Sequence, residues 1–109
     1  MVAIKRIYDP PAPDDGWRVL VDRLWPRGIS REAAQIDNWL KDLAPSDALR
    51  KWFGHDAEKW EEFRTRYRKE LKPHRELLER LRHEAEKGRI TLLFAAKDTE
   101  HNNAVVLKE

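Results

Sequence analysis

Two apolar stretches of the chain each end in polar side chains that could bind an anion. Asp22, Arg23 and Arg27 follow the first stretch, and Lys97 and Asp98 follow the second. The guanidinium group of arginine can form two parallel hydrogen bonds to a phosphate or a carboxylate, and lysine supplies a point charge. These residue types therefore predict a site for an anionic, and above all a phosphate-bearing, ligand.

Further residues close to these groups are candidates for the same site. Trp25 stands in a turn between the two arginines, so we expect its ring to face a ligand and to offer a stacking surface for a base. Asn102 and Asn103 follow Asp98 closely and carry amide groups that can bind a ligand. His101 lies beside them and is a candidate for acid–base chemistry. The predicted ligand-binding residues are therefore Arg23, Trp25, Arg27, Lys97, Asn102 and Asn103.

The carboxylates support two other interpretations. The candidates for catalysis are Asp22, Asp98 and His101, and a small hydrolase or transferase could use either aspartate as a general base while the cations stabilise charge in the transition state. Alternatively, Asp22–Arg23 and Lys97–Asp98 are structural ion pairs and Asp98 is a helix cap. No nucleophile with an activating base is identifiable, so the sequence favours binding over catalysis and leaves open whether the protein is an enzyme.

Missing residue types exclude several kinds of site. The chain has no cysteine, which excludes a thiol nucleophile, a disulfide framework and a thiolate metal site. It also has no glycine-rich phosphate loop and no Gly-x-Ser-x-Gly elbow. No two histidines have the i, i+4 spacing of a helical zinc motif, so we expect no metal and no cofactor. The histidines are His55, His74, His83 and His101.

Length and charge are those of a small globular protein. The 109 residues are the usual size of one domain, so we expect a single domain over 1–109. Charged residues make up 39% of the chain, but the net charge is only +2, which argues against a polybasic tail. No signal peptide is apparent, and no run approaches the roughly 18 apolar residues that span a bilayer. We therefore expect a cytoplasmic protein without a membrane partner, and its oligomeric state stays open.

The strands that position these side chains are predicted in three segments: Val2–Tyr8, Trp17–Asp22 and Ile90–Ala96. The third is almost continuously apolar, which is typical of a strand buried on both faces of a helix-covered parallel sheet. We predict an α/β protein, a small layered fold with a short, mostly parallel sheet of about three strands. A further strand could lie in a segment assigned as irregular. If the second and third segments are parallel neighbours, their polar residues meet at the C-terminal edge of the sheet, where open α/β sheets bind ligands.

The remaining segments predict a loop and several helices. Three prolines in the segment 9–16 predict a surface loop. Ser30 and Ser46 are predicted helix N-caps, and Gly54 is placed to end the helix that Ser46 begins. Asp98 or Thr99 is the predicted cap of a last helix. Apolar spacings predict a short amphipathic segment from Ile36, Trp39, Leu40 and Leu43, a helix of about four turns from Trp60, Phe63, Tyr67 and Leu71, and another helix between Pro73 and Gly88.

One stretch of the sequence carries a specific resemblance. The segment 19–28 reads Val-Leu-Val-Asp-Arg-Leu-Trp-Pro-Arg-Gly, and further matching stretches are 42–46, 49–56 and 91–98. With these residues the chain resembles the YeaO-like branch of the domain-of-unknown-function 488 family over nearly its whole length. The resemblance implies a compact bacterial or archaeal α/β protein whose biochemical role is unassigned. The polar positions shared with that family are Asp22, Arg23, Arg27, Lys97, Asp98 and Asn103.

The chain departs from other branches of that family after its last strand. Those branches carry a Cys-His-Arg segment there, whereas this chain reads His101-Asn102-Asn103. A thiol-based role therefore cannot apply to it.

The sequence thus predicts a protein that binds a phosphate-bearing ligand, either a nucleotide or a nucleic acid, at the C-terminal edge of its sheet. A small hydrolase or transferase is one alternative. The other is a protein–protein interaction module that uses a tryptophan-rich surface.

Overall fold

Four parallel strands form the sheet of the computed structural model, which describes residues 1–108. The strands are β1 (Val2–Arg6), β2 (Trp17–Leu20), β3 (Asn38–Trp39) and β4 (Ile90–Phe94), in the spatial order β1-β4-β2-β3. Strand β4 lies beside β2, with Leu93 opposite Leu20. The predicted α/β class and the predicted parallel pairing of the second and last strands are confirmed.

The strand count differs from the prediction of about three because of one segment. The short amphipathic segment predicted over 36–43 is wrong, since this region forms β3 and then a 3-10 turn over Lys41–Leu43. Backbone pairing with β2 determines its conformation: the amide of Asp37 donates to the carbonyl of Arg18 at 2.8 Å, and Leu40 donates to Leu20 at 2.9 Å. A strand of two residues is too short to show its own periodicity.

Five helices connect and cover the strands. They are α1 (Arg31–Ala34), α2 (Asp47–Phe53), α3 (Trp60–Leu71), α4 (Arg75–Lys87) and α5 (Asn103–Lys108). The predicted caps of the first two are confirmed, because the hydroxyls of Ser30 and Ser46 each accept a hydrogen bond from the amide three residues later. Gly54 follows α2 in the left-handed conformation, with φ of 53°. A 3-10 turn that contains Pro73 separates α3 from α4, as the sequence indicates.

The start of α5 differs from the prediction. The last helix begins at Asn103, and the side chain of Asn102 accepts a hydrogen bond from the amide of Val105 at 3.1 Å. Asp98 instead accepts from the amides of Glu100 and His101, at 2.9 and 3.0 Å. Neither predicted cap of this helix is therefore correct: the Asp98 side chain closes a turn in the preceding loop.

Alternate side chains of the central strands enter two apolar clusters. The larger cluster lies under the helices that follow β3, and it includes Val19, Val21, Phe63, Tyr67, Leu92 and Phe94. The smaller one lies on the opposite face and contains Ile7, Leu20, Ala34 and Leu93. The prediction that β4 is buried on both faces is confirmed, as is the buried stripe of α3. No helix among residues 1–108 is both long enough and apolar enough to cross a bilayer.

A buried ionic cluster attaches the proline-rich loop to the sheet. Asp15 and Arg18 are each only 4% exposed and form an ion pair, and Lys5 contacts the same carboxylate at 3.2 Å. Arg18 also donates to the carbonyl of Ala34 at 2.7 Å. Burial opposes ionisation of Asp15, but hydrogen bonds from the Ala12 amide and from the two cations outweigh it, so the pKa of Asp15 is lowered. The loop predicted to lie at the surface therefore contributes one buried carboxylate.

Candidate functional site

A cleft of about 460 Å³ opens at the C-terminal ends of the strands, the edge that the sequence indicates. The loop after β2 forms one wall, the end of α2 forms another, and the segment between β4 and α5 forms a third. Six of the nine predicted site residues line it: Asp22, Arg23, Trp25, Arg27, Asn102 and Asn103.

Asp22 is the half-buried carboxylate of this cleft. Its Oδ2 accepts a hydrogen bond from the amide of Ala95 at 2.8 Å, which joins the ends of β2 and β4. Burial raises the pKa of Asp22, while hydrogen bonds from Ala95 and Asn103 and the charges of His55 and Arg50 oppose the rise. The carboxylate is therefore fixed in place and takes up a proton more readily than an exposed aspartate.

Arg23 and Arg27 contribute positive charge in different ways. The half-buried guanidinium of Arg23 donates from Nε to the carbonyl of Pro45 at 3.3 Å and from Nη2 to that of Ala44 at 3.4 Å. It is not ion-paired with Asp22. The side chain of Arg27 is exposed and has no hydrogen bond or ion pair within residues 1–108, although its carbonyl accepts from the hydroxyl of Tyr8 at 2.7 Å. Arg27 is thus available to a ligand.

Two residues that the sequence did not assign to the site also line the cleft. Arg50, on α2, has a long contact of 3.4 Å to the exposed carboxylate of Asp47. His55 has φ of 58° and follows Gly54, which is also left-handed, and this double turn places the histidine in the cleft wall. Both residues lie in the stretch 49–56 that carries the family resemblance, which is the signal that could have found them. No spacing or residue pattern by itself assigns either one to the site.

The ring of Trp25 lines the cleft but is also held by its neighbours. Its Nε1 donates to the carbonyl of Ile29 at 2.8 Å, and the ring meets Trp39 edge to face at a centroid distance of 5.5 Å. The guanidinium of Arg31 lies 5.0 Å from the centroid of the ring. Trp25 is therefore a fixed wall of the cleft.

The two asparagines line the cleft with amide groups already engaged by the backbone. Asn102 donates to the carbonyl of Asp98 at 2.9 Å, and Asn103 donates to the carbonyl of Val21 at 2.8 Å. Both side chains are buried. Asn103 attaches α5 to the residue after β2, while Asn102 joins α5 to the loop before it, so their geometry supports the cleft.

The other three predicted residues do not line the cleft. Asp98 and His101 are joined by a hydrogen bond of 2.9 Å between Oδ2 and Nδ1, and the imidazole meets the ring of Trp60 edge to face. Hydrogen bonds from the Glu100 amide and from His101 lower the pKa of Asp98. Lys97 is exposed and has no ion pair in the described part of the chain, so the alternative Lys97–Asp98 pair is not formed.

The described residues contain no group of three or more His, Asp or Glu side chains placed to hold a metal ion. The charged or imidazole-bearing lining residues among those described are Asp22, Arg23, Arg27, Arg50 and His55. The phenol of Tyr8 and the amides of Asn102 and Asn103 add polar groups to the same cleft.

Two known bacterial proteins are similar to this chain over nearly its whole length. Uncharacterized protein YeaO of Escherichia coli K12 is 44% identical over 108 residues, which are 99% of this chain and 94% of that protein. Uncharacterized protein Rv3073c of Mycobacterium tuberculosis H37Rv is 40% identical over 108 residues, with 99% of this chain and 91% of that protein covered. The comparison with solved structures gave no significant match.

The family comparison covers the entire sequence. The model described as the Inactive DUF488-N3 subclade matches residues 1–109. This match agrees with the segment 19–28 and with the identity to YeaO. The chain belongs to the DUF488 family, in its YeaO-like branch.

Proposed function

We propose that the protein binds a phosphate-bearing ligand, a nucleotide or a nucleic-acid phosphate, in the cleft at the C-terminal edge of its sheet. One observation carries the proposal: three arginines line the cleft, and its described lining contains a single carboxylate. Open α/β sheets commonly bind ligands at this edge, and arginine is the side chain best suited to a phosphate.

The arginines differ in how readily they would contact a ligand. Arg27 has no side-chain partner among the described residues, and the contact of Arg50 with Asp47 is long and exposed, so both can turn towards an anion at little cost. Arg23 is held against two carbonyls and would act as a fixed charge. The cleft thus combines one positioned cation with two that can close on the ligand.

Asp22 would couple binding to proton uptake. An anion placed beside this carboxylate disfavours its charged form and raises its pKa further. Burial has already raised that pKa, so protonation relieves the repulsion at a lower cost than for an exposed aspartate. Binding should therefore strengthen as the pH falls, and Asp22→Asn should remove part of this dependence.

Binding is preferred to catalysis because no nucleophile with an activating base is identifiable among the described residues that line the cleft. The family description, which contains the word inactive, also favours a binding role. A hydrolase or transferase that uses Asp22 as a base is the second candidate, since that carboxylate lies in the cleft with a raised pKa. Any hydrolytic or transfer activity that survives Asp22→Asn would remove this candidate.

The test is a titration with labelled single- and double-stranded oligonucleotides and a labelled nucleoside triphosphate, at low and at physiological salt. We expect saturable binding that persists at physiological salt and weakens by about tenfold in each of Arg27→Ala and Arg50→Ala, because each loses a charge-assisted contact. Arg80→Ala, an exposed cation that does not line the cleft, is the matched control and should bind normally. Binding that is lost equally in all three variants, or that is absent from the wild type, would overturn the proposal.

A further inference from the structure

A second and larger concavity lies away from the cleft. It has a volume of about 970 Å³ and is bounded by the end of α3, by α4, by α5 and by the first residues of β1 and β4. We refer to it as the helical groove. Its floor is apolar: the half-buried side chains of Val2, Leu78 and Leu107 lie over the buried Leu81 and Ile90. It shares no lining residue with the cleft, so a ligand in one does not occupy the other.

The rim of the helical groove is exclusively basic among the residues described. Its charged lining residues are Arg68, Lys72, Arg75, Arg82 and Lys108, and the described lining contains no carboxylate. Lys72, Arg75 and Arg82 are exposed and form no ion pair within residues 1–108. The whole chain has 22 basic and 20 acidic residues, so a rim whose described charges are all positive differs from the nearly balanced charge of the protein.

The spacing of the rim charges indicates the shape of the occupant. Arg75, Leu78, Arg82 and Ala85 recur at steps of three and four residues, so cations and apolar groups alternate along one face of α4. Arg75 and Arg82 are two helical turns apart, which is about 10.5 Å along the axis. A single carboxylate or phosphate head group would contact one of them, whereas a rod with repeated negative charges would contact both.

We propose that the helical groove binds an acidic amphipathic helix of a partner protein. Such a helix places its apolar stripe on the leucine-lined floor and its glutamate or aspartate side chains against the basic rim. The basic rim requires a partner surface with negative charge. The walls formed by α3, α4 and α5 leave a groove of the kind that binds a helix. This interaction is independent of the ligand proposed for the cleft.

The probe is a fluorescein-labelled peptide of about 18 residues with leucine at i, i+3, i+4 and i+7 and glutamate on the flanking positions. One control peptide replaces glutamate with lysine, and a second has the same composition with the leucine positions scrambled. The rim variant is a double substitution, Arg75→Glu with Arg82→Glu, which reverses two charges of the rim. The matched control is Lys69→Glu with Arg80→Glu, which reverse two exposed charges outside the groove.

We expect the acidic peptide to bind saturably and to lose at least about tenfold in affinity to the rim variant, because two attractions become repulsions. The control variant should keep the wild-type affinity, and neither control peptide should bind. Because all four substituted residues are exposed, each variant should fold, which circular dichroism verifies. Equal losses in both variants, equal binding of the scrambled peptide, or no saturation up to millimolar peptide would overturn the proposal. Binding of phosphatidylglycerol vesicles without binding of the peptide would also overturn it, in favour of a lipid.

Discussion

At the scale of single residues, Asp22 connects the chemistry of the cleft with the stability of the fold. It is the carboxylate at the point where β2 and β4 end side by side, and its oxygen accepts a hydrogen bond from Ala95. Because burial raises its pKa, the folded protein binds this proton more tightly than the unfolded chain does. This is the opposite of Asp15, whose pKa is lowered by its hydrogen bonds and cations.

Asp22→Asn should therefore change the pH dependence of stability in a defined direction. A raised folded-state pKa gives stability that is fully present below the unfolded pKa of about 3.9 and is lost as the pH rises through the folded value. The free energy of unfolding of the variant, measured with denaturant between pH 3 and pH 7, should improve relative to that of the wild type as the pH increases. Asp42→Asn, at an exposed position, is the control for the loss of one charge. If the free energy of unfolding of the variant instead falls relative to that of the wild type as the pH rises, the pKa of Asp22 is not raised by folding.

Single residues also mark the limit of what the sequence predicted about the site. Asp22, Arg23 and Arg27 follow an apolar strand, so topology alone places them at the edge where the cleft opens. His55 is different, because its position depends on two consecutive left-handed residues after α2, a local backbone path that no spacing encodes. Lys97 has the residue type that the site needs, but it does not line the cleft.

At the scale of elements, the junction between the proline-rich loop and β2 depends on a close approach of Gly16 to the backbone of Arg89. Gly16 has φ of 65°, and a Cβ atom built there would lie 2.1 Å from the carbonyl oxygen of Arg89. That carbonyl also accepts a hydrogen bond from the amide of Trp17 at 3.0 Å. The close approach of position 16 to Arg89, beside the paired starts of β2 and β4, therefore requires a residue without a side chain.

Gly16→Ala should consequently destabilise the fold by about 3 kcal/mol or more, because left-handed strain adds to a backbone clash. Gly28→Ala separates these two effects, since Gly28 has φ of 78° but nothing within 4 Å of the added Cβ. This second variant should lose only the strain, about 1–2 kcal/mol. Urea unfolding measures the loss of stability in each variant. Equal losses of free energy of unfolding would show that the backbone at Arg89 moves aside without an energetic cost.

The elements that were predicted correctly are those with a strong local signal. The stripe of α3 repeats over twelve residues, and β4 is five apolar or β-branched residues in succession. Strand β3 was missed because two residues, Asn38 and Trp39, cannot show an alternation, and the apolar residues around them happen to fall at helical steps. Pairing with β2, a tertiary effect, decides the conformation of this segment.

At the scale of the whole molecule, two basic concavities occupy different parts of a chain that carries a net charge of only +2. The cleft lies at the C-terminal ends of the strands, whereas the helical groove reaches the N-terminal ends of β1 and β4 through Val2 and Ile90. Distant sites without shared partners usually behave additively.

The two sites should therefore respond independently to mutation. Arg27→Ala with Arg50→Ala should weaken binding of the phosphate-bearing ligand and leave the affinity for the acidic peptide within about twofold of the wild type, as expected for additive sites. Arg75→Glu with Arg82→Glu should do the reverse. Titrating each probe in the presence of a saturating amount of the other measures the coupling directly. Mutual displacement of the two probes would mean that they compete for one surface.

The order of the strands has a consequence for how the protein is made. Strand β4 lies between β1 and β2 and pairs with both, yet it is the last strand to be synthesised. A nascent chain that has emerged only as far as α4 lacks β4, so β1 has no neighbour and β2 can pair only with β3. The apolar stripe of α3 then has only an incomplete sheet to pack against. The sheet can close only when Phe94 has left the ribosome, and until then the growing chain exposes apolar surface and unpaired strand edges of the kind that favour aggregation.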